Sequence, residues 1–183
     1  MNYQKVKKAN YYKLRREWKE LKQEYNDLEL VFSKISIEFV KSIRSFCTQN
    51  NLGDPFAETN ETTQNVGGDA FSSSSKAVFR QIVLSTHPDK AKDKKQAEEV
   101  YNAATKAKKT GNLQELLDAG KNVSVKLDLE KITTEDINLL KDNVNDLKDK
   151  ISKIRNSYAW VWFHATPVKR NEIFFNFIES HSK

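Results

Sequence analysis

Few residues in this chain are of types that do chemistry. Histidine occurs three times, at His87, His164 and His181, and cysteine once, at Cys47. No histidine has a Cys or an acid at metal-ligand spacing, so no metal site is expected. There is no glycine-rich phosphate loop and no nucleophile elbow. The chain is therefore not expected to be an enzyme; no catalytic residue and no cofactor are assigned. What remains is His87-Pro88-Asp89 with cations on both sides, Lys76 and Arg80 before it and Lys90 and Lys92 after it. Pro88 biases His87 out of the α region, so a helix arriving there must stop. A basic segment of this kind suits an acidic partner surface or nucleic acid. Nucleic acid is disfavoured, because the aromatics lie on apolar seams and are not interleaved with these lysines.

The elements that must position this segment are short helices. Val78, Phe79, Ile82 and Val83 share one helical face. Ala97, Val100, Tyr101, Ala104 and Ala107 form a facing stripe at spacings of three and four. Asp93 can cap the second helix with Gln96 as its capping-box partner. Gly111 can end that helix in the left-handed conformation. Asn112-Leu113-Gln114-Glu115 starts a third helix, which Gly120 is expected to end. The segment thus reads as a helical hairpin with His87-Pro88-Asp89 in its loop.

The run from Lys76 to Lys90, KAVFRQIVLSTHPDK, resembles helix II and the following loop of a DnaJ-family J-domain. Phe79 stands eight residues before His87, where the family prefers an aromatic, and the basic Arg80 follows it. Ile82, Val83 and Leu84 carry the aliphatic pattern into His87-Pro88-Asp89, the family signature, and Lys90 follows. Ala97 to Ala107 resembles helix III, with Tyr101 in place of the usual Phe. Ala104 falls where a larger aliphatic is usual, and Lys108 where an aromatic is usual. The resemblance covers about a quarter of the chain. It implies that the loop docks on a DnaK-type chaperone and stimulates its ATPase. Asp89 would engage an arginine there, His87 and Pro88 would fix the loop shape, and Lys76, Arg80, Lys90 and Lys92 would steer the encounter. In one respect the chain departs from the family. The place of helix I holds GGDAFSSSS, which carries no Tyr-x-x-Leu-Gly-like motif.

Around the hairpin lie two heptad seams. Tyr11, Leu14, Trp18, Leu21, Tyr25, Leu28, Phe32, Ile35 and Phe39 define a long coiled-coil helix over 1–50, about 70 Å at helical rise. Ile137, Leu140, Val144, Leu147, Ile151, Ile154, Tyr158 and Trp162 define a second, opening at a capping-box-like Thr133-Thr134-Glu135-Asp136. Residues 51–75, with three of the five glycines and a serine run, read as a flexible linker. The hairpin follows at 76–120, a connector and the second seam at 121–163, and a short helix at 164–183 with Pro167 at its first position.

The expected architecture is all-α: a J-domain-like hairpin plus long antiparallel coiled-coil helices, with a homodimeric coiled coil as the other way of covering the seams. The net charge of +6 is uneven, with residues 1–50 and 76–109 at +5 each and residues 51–75 at −4. No apolar run approaches a membrane span and the N-terminus has no secretory h-region, so a cytoplasmic location, including that of an infected host cell, is expected. The functional expectation is a co-chaperone whose coiled coil delivers it to a client or assembly partner. The alternative is a structural or assembly protein, of phage or viral type, that keeps the hairpin as a packing element.

Overall fold

A computed structural model describes residues 3–56, 71, 73–87, 89, 91, 93–125, 127–128 and 131–181. Within these the protein is all-α. Seven helices follow one another: α1 (Tyr3–Gln49), α2 (Ser73–Ser85), α3 (Lys94–Thr110), α4 (Leu113–Lys121), α5 (Thr134–Arg155), α6 (Tyr158–His164) and α7 (Pro167–His181). No strand occurs among the described residues, so the alternating Val123, Val125, Leu127 is a connector, as expected. The chain divides into two compact units. Unit 1 is Met1–Leu21 with Asn65–Leu147, and unit 2 is Lys22–Gln64 with Lys148–Lys183.

Unit 1 contains the hairpin. Val78 and Ile82 of α2 are buried, as are Ala97, Val100, Ala104 and Ala107 of α3. Three of those four α3 residues are alanines, so the two helices can approach closely. Phe79, midway along α2, meets Lys108, late in α3, while Val83, later in α2, shares a cleft with Ala97 and Tyr101, earlier in α3, so the pair is antiparallel. α4 closes the group with Leu113, Leu116 and Leu117 buried. Buried apolar side chains of this size each contribute roughly 1.5–3 kcal/mol relative to exposure.

The caps follow the sequence expectations closely. Asp93 accepts from the Lys95 and Gln96 amides at 3.0 and 3.1 Å. Gly111 is left-handed at φ 65°. The Asn112 amide reaches back to the Ala107 carbonyl at 2.9 Å, which completes a Schellman turn. Gly120 is the exception. It lies inside α4, which runs on to Lys121, and its lack of a side chain serves close approach to Val125 and Ile82.

α5 begins in a reciprocal capping box. The Thr133 amide donates to Asp136 Oδ2 at 2.9 Å, and the Asp136 amide donates to Thr133 Oγ1 at 3.1 Å. Asp136 is fully buried, and its other oxygen accepts from Ser75 Oγ at 2.9 Å, tying the start of α5 to α2. About two turns further along α5, Asn143 grips the α3–α4 corner. It accepts from the Leu113 amide at 3.0 Å and donates to the Gly111 carbonyl at 3.2 Å.

In unit 2, α1 from Lys22 onward packs on α6 and α7. Ile35, Phe39, Ile43 and Cys47, one turn apart, are buried with Ala159, Trp162, Phe174 and Phe177. The Phe39 ring lies 5.7 Å from Trp162, 5.6 Å from Phe174 and 5.3 Å from Phe177. Such aromatic pairs add roughly 0.5–1.5 kcal/mol each beyond area burial. The terminal helix thus covers α1, as its phenylalanines suggest. Arg170 secures the end of α6 by donating to the Trp162 and Phe163 carbonyls at 3.2 and 3.0 Å.

One expectation about the seams is corrected. The second seam is not one helix to Trp162, because α5 stops at Arg155 and α6 starts anew after Ser157. The Ser157 backbone is extended, at φ −70° and ψ 148°, and its hydroxyl caps the Trp160 amide at 3.3 Å. In unit 1 Tyr11 of α1 lies close enough to Asp136, at the start of α5, for that carboxylate to raise its pKa. In unit 2 Glu24 of α1 pairs with Arg155 at the end of α5, at 2.7 Å.

Candidate functional site: the α2–α3 loop and its basic flank

The loop is held by its first buried residue. Thr86 sits just after α2, and its hydroxyl donates to the Ile82 and Val83 carbonyls at 2.9 and 3.2 Å. The Thr86 amide also donates to the Ile82 carbonyl at 2.9 Å, so the hydroxyl adds a second donor there and supplies one to the Val83 carbonyl at the helix end. Beyond it the Ala91 amide donates to the His87 carbonyl at 3.0 Å, so the loop closes on itself before Asp93 starts α3.

His87 and Asp89 project from this turn with side chains 57% and 86% exposed. His87 Nδ1 lies 3.5 Å from Asp89 Oδ2 and 3.4 Å from the Asp89 amide. A neutral ring with its proton on Nε2 accepts from the amide, whereas a ring protonated on Nδ1 faces the carboxylate. Both contacts are long and exposed, so most of the hydrogen-bonding capacity of both groups is open to a partner. Pro88, Lys90 and Lys92 lie outside the described residues.

Lys76 and Arg80 are one turn apart on α2, Lys76 half-buried and Arg80 exposed. The same stripe continues through Leu84, which is 59% exposed, to the loop. Leu84 reads in sequence as one more core aliphatic. Only its orientation reveals an apolar contact point between Arg80 and His87. α2 contains no acidic residue, so the stripe is uniformly basic or apolar.

Beneath the loop a cleft of about 420 Å³ opens between α2 and α3. It is lined by Val83, Thr86, His87, Ala91, Ala97 and Tyr101, with Lys94 and Glu98 at its charged edge. Tyr101, expected on the buried stripe, is 43% exposed and forms part of this wall. Among the described residues no group of three or more His, Cys, Asp or Glu could hold a metal. No described helix is long and apolar enough to cross a membrane.

Cys47 is buried in unit 2, and burial, with the Asp54 carboxylate nearby, pushes its thiol pKa up. A thiol so placed is a poor nucleophile. The cluster 158–163 reads as apolar all round, and the structure buries only Ala159 and Trp162 of it fully.

No family model, no curated protein and no solved structure matches the chain.

Proposed function

We propose that the protein is a J-domain-type co-chaperone. Its α2–α3 loop docks on a DnaK-type chaperone in a reducing cytoplasm and stimulates that chaperone's ATPase. One observation carries the reading. His87 and Asp89 stand exposed on a self-closed turn at the end of a helix that carries the half-buried Lys76 and the exposed Arg80 and Leu84 on one stripe. Asp89 offers a carboxylate to a cation on the partner, the strong charge-assisted kind of hydrogen bond. His87 and Pro88 hold its direction, while Lys76, Arg80, Lys90 and Lys92 steer the encounter. The chaperone hydrolyses the ATP, and this chain shifts its conformational equilibrium by binding one state better. In place of a helix I, α5 supports the hairpin from outside through Asp136 and Asn143. The long helices would deliver the hairpin to a client or complex.

The test is single-turnover ATP hydrolysis by DnaK-type chaperones with this protein added, beside His87→Gln and Asp89→Asn. Stimulation that falls at least about tenfold in either variant, the scale of one lost charged hydrogen bond, supports the reading. No stimulation of several such chaperones sinks it. The assembly-protein reading then leads. It is favoured by Val161, Phe163, Val168 and Phe175, which α6 and α7 leave 46%, 38%, 78% and 52% exposed.

A further inference from the structure

A second concavity, of about 330 Å³, lies further along the same α2–α3 face, toward the start of α2. Its lining is Phe71, Lys76, Phe79, Arg80 and Lys108. Three of these five side chains are cations and two are aromatic. Two of the cations come from α2, and the third is brought in by α3. Lys108 is half-buried, and its ammonium sits over the Phe79 ring at 5.1 Å from the centroid. That contact fixes the charge at the wall of the groove and limits its retreat into solvent. In the last turn of α3, Lys108 also faces the negative end of the helix dipole, which favours a cation there.

We propose that Lys108 is a partner-contact residue, and that it completes with Lys76 and Arg80 a groove receiving an acidic side chain of the docked protein. This rests on the docking reading of the same α2 face and names the chemistry it selects. A glutamate or aspartate placed between Lys108 and Arg80 gains charge-assisted hydrogen bonds, and its methylene stem lies against Phe79. A nucleic acid fits less well. One face of Phe79 carries the Lys108 ammonium and Phe71 is buried, so the aromatic floor is not an open platform for a stacked base.

The experiment is a titration of the full chain with a hexaglutamate peptide at low salt, followed by amide chemical shifts. Lys108→Glu is compared with Lys109→Glu, which makes the same charge change at an exposed neighbour outside the groove. The expected result is saturable shifts at Phe79, Arg80 and Lys108. Affinity should fall about tenfold in Lys108→Glu, with a change below about threefold in Lys109→Glu. Equal losses in the two variants, or no saturable binding, overturn the proposal. So does a thymidine hexanucleotide that binds with the same dependence on Lys108. No chaperone takes part in this titration, so a silent ATPase assay overturns the co-chaperone reading without touching this result, and the reverse holds equally.

Discussion

Gly120 illustrates how a single atom decides the sign of an effect. In a helix interior, replacing glycine by alanine ordinarily stabilises by about 0.5–1 kcal/mol. Here an added Cβ would lie 3.0 Å from the Val125 carbonyl oxygen and 3.4 Å from Ile82 Cδ1. The carbonyl is backbone held by its own turn, since the Val125 amide donates to the Gly120 carbonyl at 2.8 Å. It cannot swing aside as a flexible side chain would. Gly120→Ala is therefore expected to destabilise, by about 1–3 kcal/mol as overpacking does, in urea denaturation. A gain in stability would show that the connector yields freely.

At the scale of elements, α5 braces the hairpin. Asn143 spends both ends of its amide on the α3–α4 corner, supplying a donor to Gly111 and an acceptor to the first amide of α4. Asn143→Leu keeps similar bulk and removes both bonds. Leaving part-buried backbone groups without partners costs about 1–3 kcal/mol. The expected outcome is a loss of that size in denaturant, with faster hydrogen exchange at the α4 amides than at those of α7. Uniformly faster exchange in both helices would contradict a local clamp. The caps of α3 and α4 act on the same scale, and each is worth about 1 kcal/mol.

At the scale of the whole molecule, two buried acids make stability depend on alkaline pH. Burial raises the pKa of Tyr11, with Tyr12, Asp118 and Asp136 adding to the rise and Arg15 opposing it. Burial and Asp54 raise that of Cys47. In both, the folded pKa lies above the unfolded one, about 8.5 for Cys and about 10 for Tyr. Between the two values the unfolded chain binds fewer protons, so stability falls as pH rises. The contribution is fully present below the unfolded pKa and is lost as pH climbs through the folded one. The denaturation midpoint is expected to hold from about pH 7 to 8 and to decline above about 9. Tyr11→Phe is expected to flatten the part of that decline above pH 10, whatever its effect at neutral pH. An unchanged slope would mean that Tyr11 ionises no less readily folded than unfolded.

Local order was legible in the sequence, because it depends on near neighbours. The helix periodicities, the Asp93 and Asn112 caps, the left-handed Gly111, the capping box at Thr133 and the proline opening of α7 all rest on residues within one turn of each other. His87-Pro88-Asp89 was legible for the same reason, as was its position between two helices. Direction and partnership were not legible, since a heptad seam presents the same stripe whether its neighbour runs up or down. The break at Ser157 is hidden in the sequence because the apolar spacing continues across it, and a serine cap costs nothing in that pattern. Leu84 and Lys108 joined the candidate site for a tertiary reason. α3 and α4 cover the opposite face of α2, leaving Leu84 in solvent, and the antiparallel pairing of α2 with α3 carries a lysine 29 positions away onto the Phe79 ring.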